Sequence, residues 1–178
     1  MRAPEDRVFN NQGEFKVRYS RRNEIIALAG FFSLCAAVGL SGSGFAWLSL
    51  RDWFPALRHP APLPPVVVLM PVWVTLYAMV AVAGWEIWRV PDVRLRNHRA
   101  LTAWGWQLGL KAMVTPVFFG LHWLLAAALL SAILLGAVAV TIWRFGQLNR
   151  GAALLLLPYF GWVGFSVYLN AGFWWLNC

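Results

Sequence analysis

The sequence predicts an all-α membrane protein built as a five-transmembrane-helix bundle. Three observations carry this. Hydrophobic residues make up 60% of the 178-residue chain and charged residues 12%, against about 45–50% and about 25% in soluble proteins. Five apolar runs are each long enough to cross a bilayer, which takes about 20 residues. The basic residues gather in alternate connections between those runs, the pattern of a positive-inside topology.

In chain order, the first run goes from about Ile25 to Leu50, interrupted by Ser41-Gly42-Ser43-Gly44. The others are Val66 to Trp88, Ala100 to Gly120, Trp123 to Trp143 and Ala152 to Leu176. Hydrocarbon offers no water to exposed backbone groups, so each run is expected to be helical. A β-barrel would need period-2 alternation, which Leu124 to Leu135 lacks. Only the Leu121-His122 region separates the third run from the fourth, which predicts a tight helical hairpin. No internal repeat is evident.

Five crossings put the N-terminus and the second and fourth connections on one side. That side carries twelve Lys or Arg: Arg2, Arg7, Lys16, Arg18, Arg21, Arg22, Arg89, Arg94, Arg96, Arg99, Arg144 and Arg150. The other side carries only Arg51 and Arg58, and Lys111 lies inside the third run. In a bacterial inner membrane this places the N-terminus in the cytoplasm, with loop 51–65 and the C-terminus periplasmic. The net charge of +8 therefore reads as a topology signal. Nucleic-acid binding is set aside, because the arginines form no single basic face. Twelve Trp suit a chain whose rings sit at the headgroup level. Cys35 and Cys178 have no zinc or disulfide spacing and read as small hydrophobes. No cleavable signal peptide is expected, since the first 24 residues are polar and the first apolar run is too long for one.

The expected domains are a polar cytoplasmic extension, 1–24, and a transmembrane domain, 25–178, containing loop 51–65. That loop holds five prolines, which forbid a continuous helix and favour an extended path. With Trp53 and Phe54 as apolar surface it reads as a structured lid, or alternatively as a plain connector.

Lys111 is the leading candidate for chemistry. It falls near mid-bilayer, where a Lys costs about 2.5–3.5 kcal/mol on insertion scales. It must face the bundle interior, find an acceptor or lose its proton; Asn170, Tyr168, Tyr77 and Thr115 are candidate partners, and snorkelling or an internal structural hydrogen bond is the plainer alternative to a ligand or protein interface. Glu86, near the cytoplasmic end of the second run, is placed to pair with Arg89 three residues on. Trp73 and Tyr77 lie four apart and share a helix face. Trp162, Ser166, Leu169, Asn170 and Phe173 recur at helical spacing in the fifth run. A Trp- and Tyr-lined interior suits a flat, partly polar ring system; aromatic packing between helices is the plainer alternative. His59, His98 and His122 have no metal partner at a useful spacing, and a haem axial ligand among them stays open. Gly105 and Gly109 form a small-xxx-small pair, for close packing within the chain or for a dimer seam. Pro116 is expected to kink its helix or free a carbonyl.

Several segments resemble the TspO/MBR family. They are Trp53-Phe54 through Pro64-Pro65, Pro71-Val72-Trp73, Leu76-Tyr77, Gln107-Leu108 and Thr115 through Gly120. Pro158-Tyr159-Phe160-Gly161-Trp162, Leu169-Asn170 and Leu176-Asn177 complete the set. Their order and spacing match over about residues 25 to 177. The resemblance implies a five-helix bundle, usually dimeric, with a pocket beneath the first loop. It implies binding of porphyrins and haem, with cholesterol or benzodiazepine-type ligands in some members, and no obligatory cofactor. Members from photosynthetic bacteria, some labelled CrtK, are linked to regulation of pigment synthesis. Light-dependent breakdown of protoporphyrin by some bacterial members depends on the two Trp that match Trp73 and Trp162.

The departures bear on function. Lys111 replaces a usual Asn, Val114 a usual Trp, Val67 a frequent Trp, and His59-Pro60 a Lys-Pro. No Lys or Arg follows Tyr168, so the animal sterol motif is incomplete. The N-terminal extension is longer than in most members. Three readings follow. The first is a tetrapyrrole-binding sensor, transporter or regulator of pigment metabolism, with Trp53, Trp73, Tyr77, Lys111, Trp162, Ser166 and Asn170 as ligand-binding residues. The second is a structural or assembly subunit of a larger, for instance photosynthetic, membrane complex. The third is a photo-oxidative enzyme acting through Trp73 and Trp162. Partners are lipids, a tetrapyrrole ligand and a second copy or a larger complex.

Overall fold

The computed structural model describes residues 6–9, 15–18, 20–90 and 94–178. Helix α1 spans Arg21–Ser49, α2 Trp53–Ala56, α3 Val66–Trp88 and α4 Arg94–Thr115. A π-helical turn, Pro116–Gly120, extends α4. Helices α5, Leu124–Gly146, α6, Arg150–Leu155, and α7, Leu157–Asn177, complete the chain. In the N-terminal extension, strands β1, Asp6–Phe9, and β2, Phe15–Arg18, pair antiparallel with Arg7 opposite Val17. This hairpin lies outside the all-α expectation.

The long helices close into a ring. Helix α1 packs on α3 and α4, α4 on α5, α5 on α7, and α3 returns to α6 and α7. Among the described residues, four segments are long and apolar enough to cross a membrane: Arg21–Ser49, Val67–Trp88, Leu124–Gly146 and Arg150–Asn177. Only 11–33% of their most apolar windows is buried within the chain. Their side chains therefore project mostly outward, as lipid contact requires. The protein is a helical membrane protein on this ground. Helix α4 falls short of the same measure. Arg96, His98 and Arg99 begin it, and Gln107 and Lys111 are buried in its middle.

As expected of a single crossing, α1 passes unbroken through Ser41-Gly42-Ser43-Gly44, the polar interruption of the first run. Ser41 and Ser43 donate back to the carbonyls of Val38 and Gly39, at 3.0 and 2.9 Å, so their hydroxyls need no outside partner. The fifth run is instead divided at Leu156. Pro158, in the first turn of α7, cannot supply the N–H that a continuous helix needs.

Pro116 acts similarly on α4. Its missing N–H shifts the bonding, and Leu121 N–H reaches the Pro116 carbonyl at 3.0 Å. The Phe119 carbonyl within the π turn accepts from Ser49 Oγ. The hairpin to α5 then turns at His122, whose φ is +59°.

Gly84 explains the closest interior packing. A Cβ there would lie 2.8 Å from the Trp104 ring and 3.0 Å from Phe31. That space lets Trp104 reach across and donate to the Val80 carbonyl at 2.9 Å. At Gly105 and Gly109 no such close approach is made among the described residues. Nothing lies within 4 Å of a Cβ built at either glycine.

The basic end of the bundle is tied by polar contacts. Arg89 pairs with Glu86 at 3.4 Å, as expected, and reaches Glu24 at 3.8 Å. Asn149 Nδ2 donates to the second Glu86 oxygen at 3.3 Å. Arg144 donates to the Arg99 carbonyl at 2.8 Å.

Candidate functional site

Loop 51–65 lies folded against α7. The Asn177 amide accepts from Arg58 N–H at 2.8 Å and donates to the Arg58 carbonyl at 3.0 Å. Tyr168 Oη donates to the Ala61 carbonyl. Pro60 is buried on Gly172, where a Cβ would come within 2.7 Å of the proline ring. Three successive turns of α7 thus hold one strap.

Under the strap is an aromatic cluster. Trp53 stacks on His122 with centroids 4.0 Å apart and meets Phe118 edge-on at 5.6 Å. Phe54 contacts His59, Phe119 and Phe173. The cluster is separate from the main core.

About two turns deeper along α4 is a second group. Lys111 Nζ sits 4.0 Å from the centroid of the Trp73 ring. Trp73 meets Tyr77 at 5.6 Å and, perpendicular, Trp162 at 6.3 Å. Helical register makes this grouping: Trp73 and Tyr77 share a face of α3, and Trp162 projects inward from α7. Tyr77 lies on Gly39 of α1 and Thr115 on Gly42, so α1 forms the wall behind them.

Lys111 is 9% exposed. Its one hydrogen bond among the described residues is to Thr115 Oγ1 at 3.5 Å, the long limit for such a bond. The described ion pairs are those of Arg89 with Glu24 and Glu86, so Lys111 has no counter-ion among them. The Trp73 face is its main partner. A cation–π contact of this kind is worth about 0.5–1 kcal/mol when exposed and about 2 when desolvated. That leaves most of the ammonium's three N–H donors for something else.

Of the sequence-predicted site residues, the structure brings together Trp73, Tyr77, Lys111 and Trp162. It places Trp53 in the strap cluster. Ser166 Oγ is turned back to the Trp162 carbonyl at 3.0 Å. Asn170 is turned to α5, where its Nδ2 donates to Ser131 Oγ at 2.6 Å. Of the four acceptors expected for Lys111, only Thr115 bonds it. Tyr168 holds the strap, and Tyr77 is reached only through the Trp73 ring.

Sequence reasoning gave no site role to Gln107 or Tyr159. Both are fully buried, and neither the Gln107 amide atoms nor Tyr159 Oη has a hydrogen-bond partner among the described residues. Trp162 Nε1 is likewise buried and unpaired. The signal was present: Gln107 precedes Lys111 by one helical turn on the same inward face. Nor was an apolar groove of about 470 Å³ anticipated on the outer side of α5 and α7, lined by His122, Trp123, Leu125, Leu129 and Trp174 among others. It shares no residue with the Lys111 group. Among the described residues, no cluster of three or more His, Cys, Asp or Glu could hold a metal.

Comparison with known proteins bears on this geometry. The TspO/MBR family matches residues 31–176. Protein CrtK of Rhodobacter capsulatus is 31% identical over 84% of this chain and 91% of its own length. Tryptophan-rich protein TspO of Chlorobaculum tepidum is 30% identical over 83% and 93%. Human translocator protein is 33% identical over 80% and 86%. The match takes in the strap, the Trp73–Lys111 group and α7 alike, and the chain belongs to the TspO/MBR family.

Proposed function

We propose that this protein binds flat, carboxylate-bearing tetrapyrroles of the porphyrin or haem type and acts as a sensor, transporter or regulator of pigment metabolism. The observation that carries the proposal is Lys111, a buried ammonium with no acidic partner among the described residues, set against Trp73 beside Trp162. A planar anion supplies what that arrangement lacks. Its ring offers a face to the indoles, and its carboxylate makes a charge-assisted bond to Nζ. The resemblance to a porphyrin-binding family supports the ligand class. One relative, from Cereibacter sphaeroides, carries the name tryptophan-rich sensory protein.

The proposal includes a fifth crossing. Helix α4 and its π turn run to 22 and five residues, enough for a hydrocarbon core of about 30 Å. Gln107 and Lys111 point inward, while Trp106 and Met113 are exposed outward. Five crossings put the strap and the C-terminus on the periplasmic side of a bacterial inner membrane, opposite most basic residues. Residues 1–24 form the cytoplasmic extension and 25–178 the membrane domain.

Titration of the purified protein with protoporphyrin IX, read by Trp fluorescence, tests the ligand. Saturable quenching is expected, weakened in Lys111→Met. A wild-type protein that shows no saturation sinks the proposal.

A second reading, a subunit of a larger membrane complex, draws on the outer face of α4. Gly105, Trp106 and Gly109 are exposed there, with Trp106 70% accessible, and Gly105 and Gly109 have open space above them. Gentle solubilisation and native gels separate the readings. Co-migration with a pigmented complex favours the second, and a lone dimer the first.

A further inference from the structure

The basic end of the bundle carries a charge cluster that the Lys111 group does not use. Arg144 stands half-buried in the last turn of α5. Its Nη1 donates to the Arg99 carbonyl at 2.8 Å, which fixes the guanidinium against the beginning of α4. A guanidinium has five N–H donors, so most remain free. Arg99 is exposed at the point of contact, and Arg96 is exposed one turn before it. None of the three has an ion pair among the described residues. Glu24 and Glu86, the acids of the helices at this end, are both engaged by Arg89.

A positive-inside bias explains why arginines lie at this end. It does not ask them to meet at one seam, where like charges repel. An anion shared among them relieves that repulsion, and the planar guanidinium fits phosphate oxygens in pairs. Position favours one source of the phosphate. Trp143, beside Arg144, is 65% exposed, and an outward indole at the end of an apolar span marks headgroup depth. From there Val140, Ile133, Leu129 and Leu125 are exposed along one face of α5. This apolar lane begins at the cluster. A free phosphate or an acidic protein loop uses the charges and leaves the lane idle. A phosphate joined to hydrocarbon chains uses both.

We propose that Arg96, Arg99 and Arg144 form a headgroup site for an anionic phospholipid, with its phosphate on the guanidiniums and an acyl chain along the exposed face of α5. A zwitterionic lipid fits less well, because its own cation is repelled by the cluster. The site lies on the outside of the bundle and is independent of any ligand at Lys111.

The test follows thermal melting of the full-length protein in dodecyl maltoside micelles as lipid is added. Dioleoylphosphatidylglycerol is expected to raise the melting temperature saturably, as a ligand of the folded state does. Dioleoylphosphatidylcholine, with the same chains, and inorganic phosphate, with none, should raise it much less. The double change Arg96→Gln with Arg99→Gln touches exposed side chains and keeps the Arg144 bond, which is to backbone. It is expected to weaken phosphatidylglycerol binding about fivefold for each arginine lost, the worth of one basic residue at an anionic membrane surface. Arg144→Gln should act in the same direction; if it fails to fold, the double change decides alone. Equal stabilisation by the two lipids, or a phosphatidylglycerol preference that survives the double change, overturns the proposal. Stabilisation by inorganic phosphate at the same concentration overturns it in favour of a free-anion site. Loss of a co-purifying protein from the double variant, with the lipid preference unchanged, overturns it in favour of an acidic protein partner.

Discussion

The Lys111 ammonium lies 4.0 Å above the Trp73 ring and answers to no carboxylate among the described residues. A charge held this way costs stability, because an aromatic face returns only part of what hydration gave. Lys111→Met keeps the length and removes the charge. It is expected to leave the melting temperature unchanged or raise it, since an unpaired buried charge is relieved. Protoporphyrin affinity is expected to fall about tenfold, the scale of one charge-assisted bond. Octaethylporphyrin, which has no carboxylate, serves as the control and should bind both proteins alike. Calorimetry and fluorescence titration check the two halves. A large loss of stability would mean that Lys111 is a structural tie and not a held-open charge.

The strap depends on Asn177, whose side chain takes both backbone groups of Arg58. Asn177→Ala removes both bonds at once and is expected to cost the strap about 1–3 kcal/mol of local stability. The readout is tryptic cleavage after Arg58, which should quicken several-fold as the strap opens more often, while global melting changes little. Gly172→Ala should have the same signature by a steric route, because its Cβ would stand 2.7 Å from Pro60. Unchanged cleavage in both variants would show that the aromatic cluster under the strap holds it alone.

Much of this arrangement was legible in the sequence, for reasons that can be named. Trp73, Tyr77 and Trp162 announced their faces through helical spacing, and Lys111 stood out because charge inside an apolar run must turn inward. Pro116 foretold a disturbed helix end, which took the form of a π turn. What stayed hidden depended on contacts between distant segments. Asn170 could serve Lys111 or α5 equally well by spacing, and Ser131 decided it. Tyr168 became a strap anchor only because Ala61 lies beside it. Glycine spacing at Gly105 and Gly109 could not say which way the pair faced. The polar interruption at Ser41-Gly42-Ser43-Gly44 leaves the helix whole because serines in apolar surroundings satisfy themselves on the preceding turn.

Gly84 and Gly105 make a controlled pair of substitutions. Alanine at Gly84 meets the Trp104 ring at 2.8 Å, and that ring is fixed by its bond to the Val80 carbonyl. Overpacking of this kind costs about 1–3 kcal/mol, so Gly84→Ala should lower the melting temperature by several degrees. Alanine at Gly105 meets nothing among the described residues, so Gly105→Ala should not lower the isolated chain's melting temperature. A matching loss at Gly105 would place a neighbouring molecule on that face, and size-exclusion with light scattering would show whether it is a second copy.

Asn170 and Ser131 join α7 to α5 through a 2.6 Å bond, and Ser131 Oγ donates its own hydrogen bond to the Ala127 carbonyl at 2.8 Å. The hydroxyl is therefore spent as a donor and acts toward Asn170 as an acceptor. Ser131→Ala removes that acceptor and leaves the Asn170 amide without its one described partner, at a cost of about 1–3 kcal/mol. Asn170→Leu removes both the donor and the demand, and with Ser131→Ala should be less harmful than the single serine change. A double-mutant cycle on thermal unfolding measures the coupling, expected at about 0.5–3 kcal/mol for residues in one hydrogen-bond network. Additive single effects would free Asn170 from this structural role and return it to the set of residues available to a ligand.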